Sequence, residues 1–542
     1  MKKYLNKIFT DAVQRLPYLS DLELSFDIPK IEAHGDLSSN AAMILSKKLK
    51  KNPMDIAAEI LSNLSIDVQV IKNVEIAKPG FINFHFTPSF VSNIIKEINN
   101  TGDDYGKSKK YSGKKANVEF VSANPTGPLT VGHGRGAVIG DTVANLLEWI
   151  GYEVDREYYF NNAGRQMRVL GDSVRIRYLN LVGQQTDFPE DYYQGEYIID
   201  IAKKLKDKFG NMLIDESPEG KFKEAAESEI FNDIKKTLLN IDIHHKIFFN
   251  EKSLYDDGKI ANLLQKFDEL NLSYEKDGAT WLKLSLLTGG EDKVIVKNTG
   301  EPTYRLPDIA YHLVKYKRGY DLMVDVFGSD HNATYPDVMA GVKSLGYDVT
   351  KTKVLIHQFV TILKDREVVK MSTRKANYIT LDELTEEVGK DVVRYFFNMR
   401  SISSHMNFDI DLAKKQSDEN PVFYLQYAHA RICSIIRTVE SENIKSSMDN
   451  LNLLVEEEEQ ALLKKLHKFE EEVLYSAENC EPQRICAYLE ELASAFHKFY
   501  TFRRILGSEK KIAEARLALA VAAKTIIKNG LTILRVSAPE RM

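Results

Sequence analysis

The sequence predicts an α/β protein. Its middle is a doubly wound parallel sheet, preceded by a smaller α/β unit and followed by an all-α helical bundle. Three observations carry this reading. Between about 111 and 414, β-type runs (NVEFVS, YEVDREYYF, YDLMVDVFG, KVLIHQFV) alternate with helical ones, and such alternation builds a parallel, Rossmann-type sheet with helices on its faces. Beyond about 415 the strand signal disappears and apolar residues recur only at helical spacing. The strand NVEFVS runs into ANPTGPLTVGHGRG, a side-chain-poor connection at the edge of the sheet where open parallel sheets bind ligands.

In residues 1–110 the N-terminus, MKKYLNKIFTDAVQRL, reads as an amphipathic helix; it has no uninterrupted apolar core and no small-residue cleavage site. HGDLSSNAAMILSKKLK places serines to cap a helix, and NPMDIAAEILSNL has Asn52 as N-cap with Pro53 at the first helical position. VEIAKPGFINFHF alternates around Pro-Gly as a hairpin does. Residues 101–117 bring three glycines and five lysines, so an exposed linker is expected, with a boundary near 110. In residues 111–414 a helix is expected from about 136, with Ile139, Val143, Leu146, Leu147 and Ile150 on one face. The charged stretch at about 165–245 reads as a helical insertion into the sheet unit. In residues 415–542, Leu462, Leu466, Phe469 and Val473, then Ile485, Leu489, Leu492, Phe496 and Phe499, then Leu517 and Val521, repeat at helical spacing.

Composition narrows the class. The chain has 542 residues, 43% of them hydrophobic, and a formal net charge of −5. That excludes a disordered or wholly basic chain while leaving local phosphate-binding patches open. No apolar run approaches the ~20 residues that span a bilayer. The three cysteines, Cys433, Cys480 and Cys486, lack metal-ligand spacing, which fits a reducing, cytoplasmic setting and no metal site. His244 and His245 lack a third ligand nearby, and His34, His357 and His405 read as structural or surface residues.

ANPTGPLTVGHGRG suits a large polyanion. Glycines 132, 134 and 136 let phosphate oxygens approach backbone N–H groups, the following helix presents the positive end of its dipole, and His133 adds a donor. A dinucleotide fingerprint is the plain alternative, but the third glycine spacing is wrong and the histidine has no role in it. A second element, VVKMSTRKAN, follows at Lys370. Taken together, the two resemble the His-Ile-Gly-His and Lys-Met-Ser-Lys-Ser signatures of class I aminoacyl-tRNA synthetases. SANPTGPLTVGHGRGAVIGD, GYEVDREYYFNNAGRQM, NPVFYLQYAHARI and the terminal VSAPERM are similar to the arginyl-tRNA synthetases in particular. The resemblance runs from HGDLSSNAA to the last residue.

By that resemblance His133 matches the second histidine of the first signature, and Thr130 stands where the first usually is. Lys370 matches the first lysine of the second signature, Thr373 replaces the second, and Ala376 replaces a common glycine. The implied catalytic residues are His133, Lys370 and Thr130. The implied ATP-binding residues are Pro125, Thr126, Gly127, Pro128, Gly132, His133, Gly134 and Gly136 with Lys370, Met371 and Ser372. Those implied for arginine are Glu119, Asn124, Glu251, Tyr304, Asp308 and His331. The chemistry agrees, since a guanidinium is a planar fork best held by carboxylates that each accept two bonds.

The resemblance further implies ATP used as its Mg²⁺ complex, no tightly bound cofactor, a monomer, and tRNA specific for arginine as partner. Residues 1–110 would touch the outer corner of that tRNA and 415–542 its anticodon, with Tyr424, Tyr427 and Arg431 as candidates and core packing as their alternative. The implied reaction is activation of L-arginine to arginyl-adenylate and transfer to the terminal ribose of tRNA. Another class I synthetase, or a non-catalytic RNA-binding relative, is the alternative.

Overall fold

A computed structural model describes the chain except Asp21, Glu23, Ile28, Lys30, Glu32, Ala33 and residues 370–378. At its centre lies a five-stranded, all-parallel sheet in the order Thr352–His357, Leu322–Gly328, Lys115–Glu119, Glu153–Phe160, Ile247–Asn250. The three middle strands are rich in buried Val, Met, Ala and Tyr (Ala116, Val118, Met323, Val324, Tyr158), as a sheet covered on both faces requires.

The helix Val131–Trp149 crosses directly after the first strand of this sheet. It is buried almost all round, the five expected apolar positions included. It begins at Val131, five residues before the expected start, so the glycines at 132 and 134 lie within its first turn. The cap at Thr130, rather than the glycine run, sets that start.

The insertion folds as three helices, Gly164–Leu181, Glu196–Phe209 and Lys223–Asn240, as expected. KVLIHQFV does not stay in one sheet. Val360–Lys364 leaves to pair with Met406–Asp409 in a small separate sheet. A further antiparallel sheet (Ser273–Lys276, Ala279–Leu282, Lys293–Val296) packs with Arg305–Lys317 and Tyr335–Ser344 around a second core; its short strands were not legible in the sequence.

In the N-terminal unit the hairpin Ile71–Ala77/Phe81–Phe86 forms as expected, and Asn52 caps its helix by accepting from the Met54 N–H at 2.9 Å. Ser38 and Ser39 instead belong to the strand Leu37–Ser39, and the next helix starts after Asn40. The 101–117 segment is largely exposed, as expected of a linker or loop, but it is pinned at its tyrosines. Tyr105 is buried and stacks on Phe469 of the C-terminal bundle at 6.1 Å, while Tyr111 stacks on Tyr152 at 4.6 Å.

The C-terminal helices are Pro421–Ser441, Glu457–Leu466, Phe469–Asn479, Gln483–Phe502 and Lys510–Ile533. One buried carboxylate helps join them to the sheet unit. Asp141, on the crossing helix, accepts from Arg156 Nε at 3.0 Å and Arg394 Nη2 at 2.7 Å, with Arg535 Nε at 3.4 Å. Arg394 also donates to the carbonyls of Leu534 and Ile241, both at 2.8 Å. Burial alone would raise the Asp141 carboxyl, but Arg394, Arg535 and Arg156 override it and hold it below the usual range. Removing one member of such a buried network strands the other charges. Asp141→Ala is therefore expected to lower stability by about 3–5 kcal/mol, measured by denaturant unfolding followed through loss of helical circular dichroism.

Candidate active site

At the C-terminal edge of the parallel sheet lies a cavity of about 830 Å³. The strand Lys115–Glu119 enters it by an unusual turn. Val121 and Ser122 adopt φ of 71° and 44°, a strained conformation for a β-branched residue. Hydrogen bonds hold the turn: Ser122 Oγ donates to Glu119 Oε1 at 3.0 Å and accepts from the Tyr159 N–H at 3.2 Å. Asn124 follows, its Oδ1 accepting from the Asn161 N–H at 3.0 Å and its Nδ2 donating to Gln166 at 3.0 Å.

Thr130 is the N-cap of the crossing helix, forming a capping box with His133. The Thr130 N–H donates to His133 Nδ1 at 3.1 Å, and the Thr130 hydroxyl lies 3.2 Å from the same nitrogen. Burial lowers the imidazole pKa, partly opposed by Asp330, so the ring is neutral. With Nδ1 accepting, the proton sits on Nε2, which leaves a donor for an anionic oxygen.

His357 forms the facing wall. An added Cβ on Gly136 would meet its Nε2 at 2.8 Å, so only glycine fits there. Gly132 is open towards the cavity. Gly134 instead faces Leu381 and Phe397, and its N–H is engaged by the Thr130 carbonyl at 3.0 Å. Arg135, fully buried, donates to the carbonyls of Gln358, Ser404 and Ser401 at 2.9–3.0 Å and pins the segment that lines this side.

The opposite end is acidic. Asp325, Glu119 and Glu157 stand in register across three adjacent strands, all buried. Lys315 Nζ, also buried, meets Glu119 at 2.8 Å and pairs with Asp325; Arg318 meets Glu157 at 2.8 Å. His312 bridges Asp325 at 3.0 Å and the Asp308 carbonyl at 2.7 Å. Burial would raise the Asp325 carboxyl, but Lys315 and His312 override it and hold it at about 2.

Glu251 and Asp308 have no such relief. Glu251 accepts from neutral groups, the hydroxyls of Tyr159 at 2.6 Å and Tyr255 at 3.3 Å and the Asn161 side chain, and burial raises its pKa. Asp308 is pushed up to about 7, chiefly by burial, with Glu119, Glu251 and Asp325 adding to it and His312 opposing. Among the described residues neither meets a lysine or arginine. Two carboxyls held this way in a cavity wall await a cation.

The structure thus brings Glu119, Asn124, Glu251, Tyr304, Asp308 and His331 into one cavity with Thr130, Gly132, His133 and Gly136. Tyr304 sits at the rim, 74% exposed, and His331 stacks on Phe327 at 4.7 Å. Pro125, Thr126, Gly127, Pro128 and Gly134 do not line it. Lys370, Met371 and Ser372, with Thr373 and Ala376, lie outside the described residues. The chain beyond them returns to the first signature: Thr380 forms a β-bridge with Thr130, and the Leu381 N–H donates to the Leu129 carbonyl at 2.8 Å. Sequence reasoning missed Lys315, Asp325, His312, Arg135 and Tyr159, and expected His357 to be structural or on the surface. A charge inside the apolar strand LMVDVF was the one signal, for Asp325.

Away from the cavity, Tyr424, Tyr427 and Arg431 share one face of Pro421–Ser441. His497 lies 5.3 Å from the Tyr424 ring and stacks on Tyr427 at 6.4 Å, and Arg431 reaches its Nδ1 at 3.2 Å. Phe423 stacks on Tyr427 and Arg431 lies over Tyr500. Among the described residues no group of His, Cys, Asp and Glu is arranged to hold a metal, and no helix is long and apolar enough to cross a membrane.

A guanidinium would favour the ionised form of Asp308 and displace its proton. Affinity for a guanidinium compound should therefore be full above pH ~7 and fall by up to ~10-fold per unit as pH drops below it. Calorimetric titration with guanidinium compounds, in buffers of differing ionisation enthalpy, reads both the affinity and the released proton.

Comparison with known proteins gives three consecutive matches. Residues 3–86 match the family model of the arginyl-tRNA synthetase N-terminal domain, 94–398 that of the class I (R) tRNA synthetase catalytic domain, and 425–542 that of the DALR anticodon-binding domain. The chain is 47% identical to an arginine–tRNA ligase of Salinibacter ruber, covering all of both chains. It is 46% identical to one of Desulfotalea psychrophila, over all of this chain and 99% of the other. The solved arginyl-tRNA synthetase of Thermus thermophilus superposes with a TM-score of 0.78 over the full length of both chains at 20% identity, a likeness of fold.

Proposed function

This chain belongs to the arginine–tRNA ligase family of class I aminoacyl-tRNA synthetases, and from that premise we propose how its own residues divide the reaction. The enzyme activates L-arginine with ATP to arginyl-adenylate and transfers the arginyl group to the terminal ribose of its tRNA. In the first step the arginine carboxylate attacks the ATP α-phosphorus and pyrophosphate leaves. In the second, a ribose hydroxyl attacks the arginyl carbonyl and AMP leaves. Positioning and fixed donors supply most of the rate in such transfers.

One observation carries the assignment: Glu251, buried, and Asp308, half-buried, are two carboxyls that meet no lysine or arginine among the described residues, in the same cavity as the capped His133. Glu251 and Asp308 hold the guanidinium, the Tyr159 and Tyr255 hydroxyls orient Glu251, and Tyr304 covers the rim. Asn124, Glu119 and His331 receive the α-amino end; Lys315 leaves Glu119 only a share of its charge for that role. His133 donates from Nε2 to a phosphate oxygen, Thr130 fixes its tautomer and caps the helix, and Gly132 and Gly136 keep the wall open. Lys370, with Met371 and Ser372, supplies the second contact to the phosphates, and ATP enters as its Mg²⁺ complex.

Residues 1–110 serve the outer corner of tRNA, 111–414 the chemistry, and 415–542 the anticodon, in a protein acting as a monomer. The face carrying exposed Tyr427 and half-buried Arg431 around His497 suits stacking of splayed bases.

His133→Ala is expected to lower kcat by about 10²–10³-fold, the loss of one transition-state donor. Thr130→Ala should cost about 1 kcal/mol of stability, the loss of a cap, with a much smaller effect on kcat. Steady-state aminoacylation and thermal unfolding separate the two.

The decisive test compares esterification of arginine, canavanine, citrulline and lysine. Asp308→Ala should cut kcat/KM for arginine by at least about 30-fold, since truncation leaves the guanidinium poorly paired. Canavanine, which keeps the fork, should remain a substrate of the parent, and citrulline should be rejected by about 10⁴-fold or more. Equal sensitivity of all four amino acids to the substitution would assign Asp308 to the fold and not to recognition.

A further inference from the structure

Pro125–Pro128 leads into the first signature yet does not line the cavity; it lies against the helical insertion. The Tyr197 hydroxyl, on Glu196–Phe209, donates to the Thr126 carbonyl at 2.8 Å. Tyr193 reaches the Thr126 side chain. An added Cβ on Gly127 would meet the Tyr197 hydroxyl at 2.9 Å, and one on Gly195 would lie 2.2 Å from the Tyr197 ring. Glycine therefore stands on both sides of that ring, in the loop and in the insertion. Behind it a second cavity of about 390 Å³, lined by Pro128 and Tyr197 among others, leaves the segment short of packing. The hydroxyl contact has correspondingly more to do.

The segment is coupled to the site on both sides. The Thr126 N–H donates to the Asn124 carbonyl at 2.7 Å, and Asn124 lines the cavity. At the other end Thr130 caps the helix that carries His133. A shift of Thr126 moves the backbone of Asn124 and the start of the His133 turn together, and small misplacements of reacting groups are costly in rate.

We propose that Tyr197 is a positioning residue for the reaction: it clasps Thr126, with Tyr193 beside it, and so makes the insertion the external support of the first signature. Pro125–Pro128 then acts as a strut that aims Asn124 and His133, and not as a set of ATP ligands. The proposal rests on the placement of Asn124 and His133 in the active site, and its test separates the two.

Tyr197→Phe, in the full chain with saturating tRNA, removes the hydroxyl and keeps the ring. Expected is a fall in kcat of about 10-fold with KM for arginine within about 3-fold and a melting temperature within a few degrees of the parent. Unchanged kcat, or a loss of activity that only follows a loss of folded protein, would overturn the clasp. A second variant makes the geometry answerable. Gly127→Ala should be damaging in the parent, where its methyl meets the hydroxyl, and at least about 3-fold less so in the Tyr197→Phe background, where that atom is gone. Additive effects overturn the proposal. His133→Ala run alongside tells the two readings apart: if it is harmless, the site assignment fails, whatever the clasp does.

Discussion

Among the described residues, carboxylates outnumber cations at the C-terminal edge of the parallel sheet, and the site is organised by that imbalance. Asp325, Glu119 and Glu157 are forced side by side by strand register. Their mutual repulsion in a buried layer is met by Lys315 and Arg318, both from one helix or its end. Among the described residues the supply of lysine and arginine stops there. Glu251 is left with neutral partners and Asp308 with His312, and burial raises both carboxyls. A ligand that brings a planar cation would offset that charge.

The helix Val131–Trp149 carries this arrangement to the rest of the chain. Its first turn holds His133 through the Thr130 cap, and its middle holds Asp141 among Arg156, Arg394 and Arg535. Asn145, one turn on, donates to the Ile533 carbonyl at 2.9 Å. The end of the C-terminal bundle is therefore fastened to the same rod that presents the His133 imidazole, and the rod is buried on nearly every side.

The glycines of the first signature gain a different meaning in three dimensions. The sequence invites the reading that they open the backbone to phosphate. Gly134 and Gly136 sit inside a formed helix, where their missing side chains admit Leu381 and His357. Close approach of neighbouring elements explains the pattern at Gly134 and Gly136 better than backbone freedom does.

The sequence alone determined the class of fold, the order of its three parts, the helical insertion and the Asn52 cap. Each of these is written in local spacing or in short motifs, because helix periodicity, capping and turn chemistry act within a few residues. It could not determine which acids would be relieved and which left wanting. Lys315, in YHLVKYK, looks like any solvated lysine until register sets Glu119 and Asp325 beside it, and His357 looks structural until the helix closes on it at Gly136. Nor could it show that Pro125–Pro128 faces the insertion and not the cavity. These outcomes depend on contacts between residues tens to hundreds of positions apart, and burial, which decides the charge state of a carboxyl, exists only once those contacts have formed.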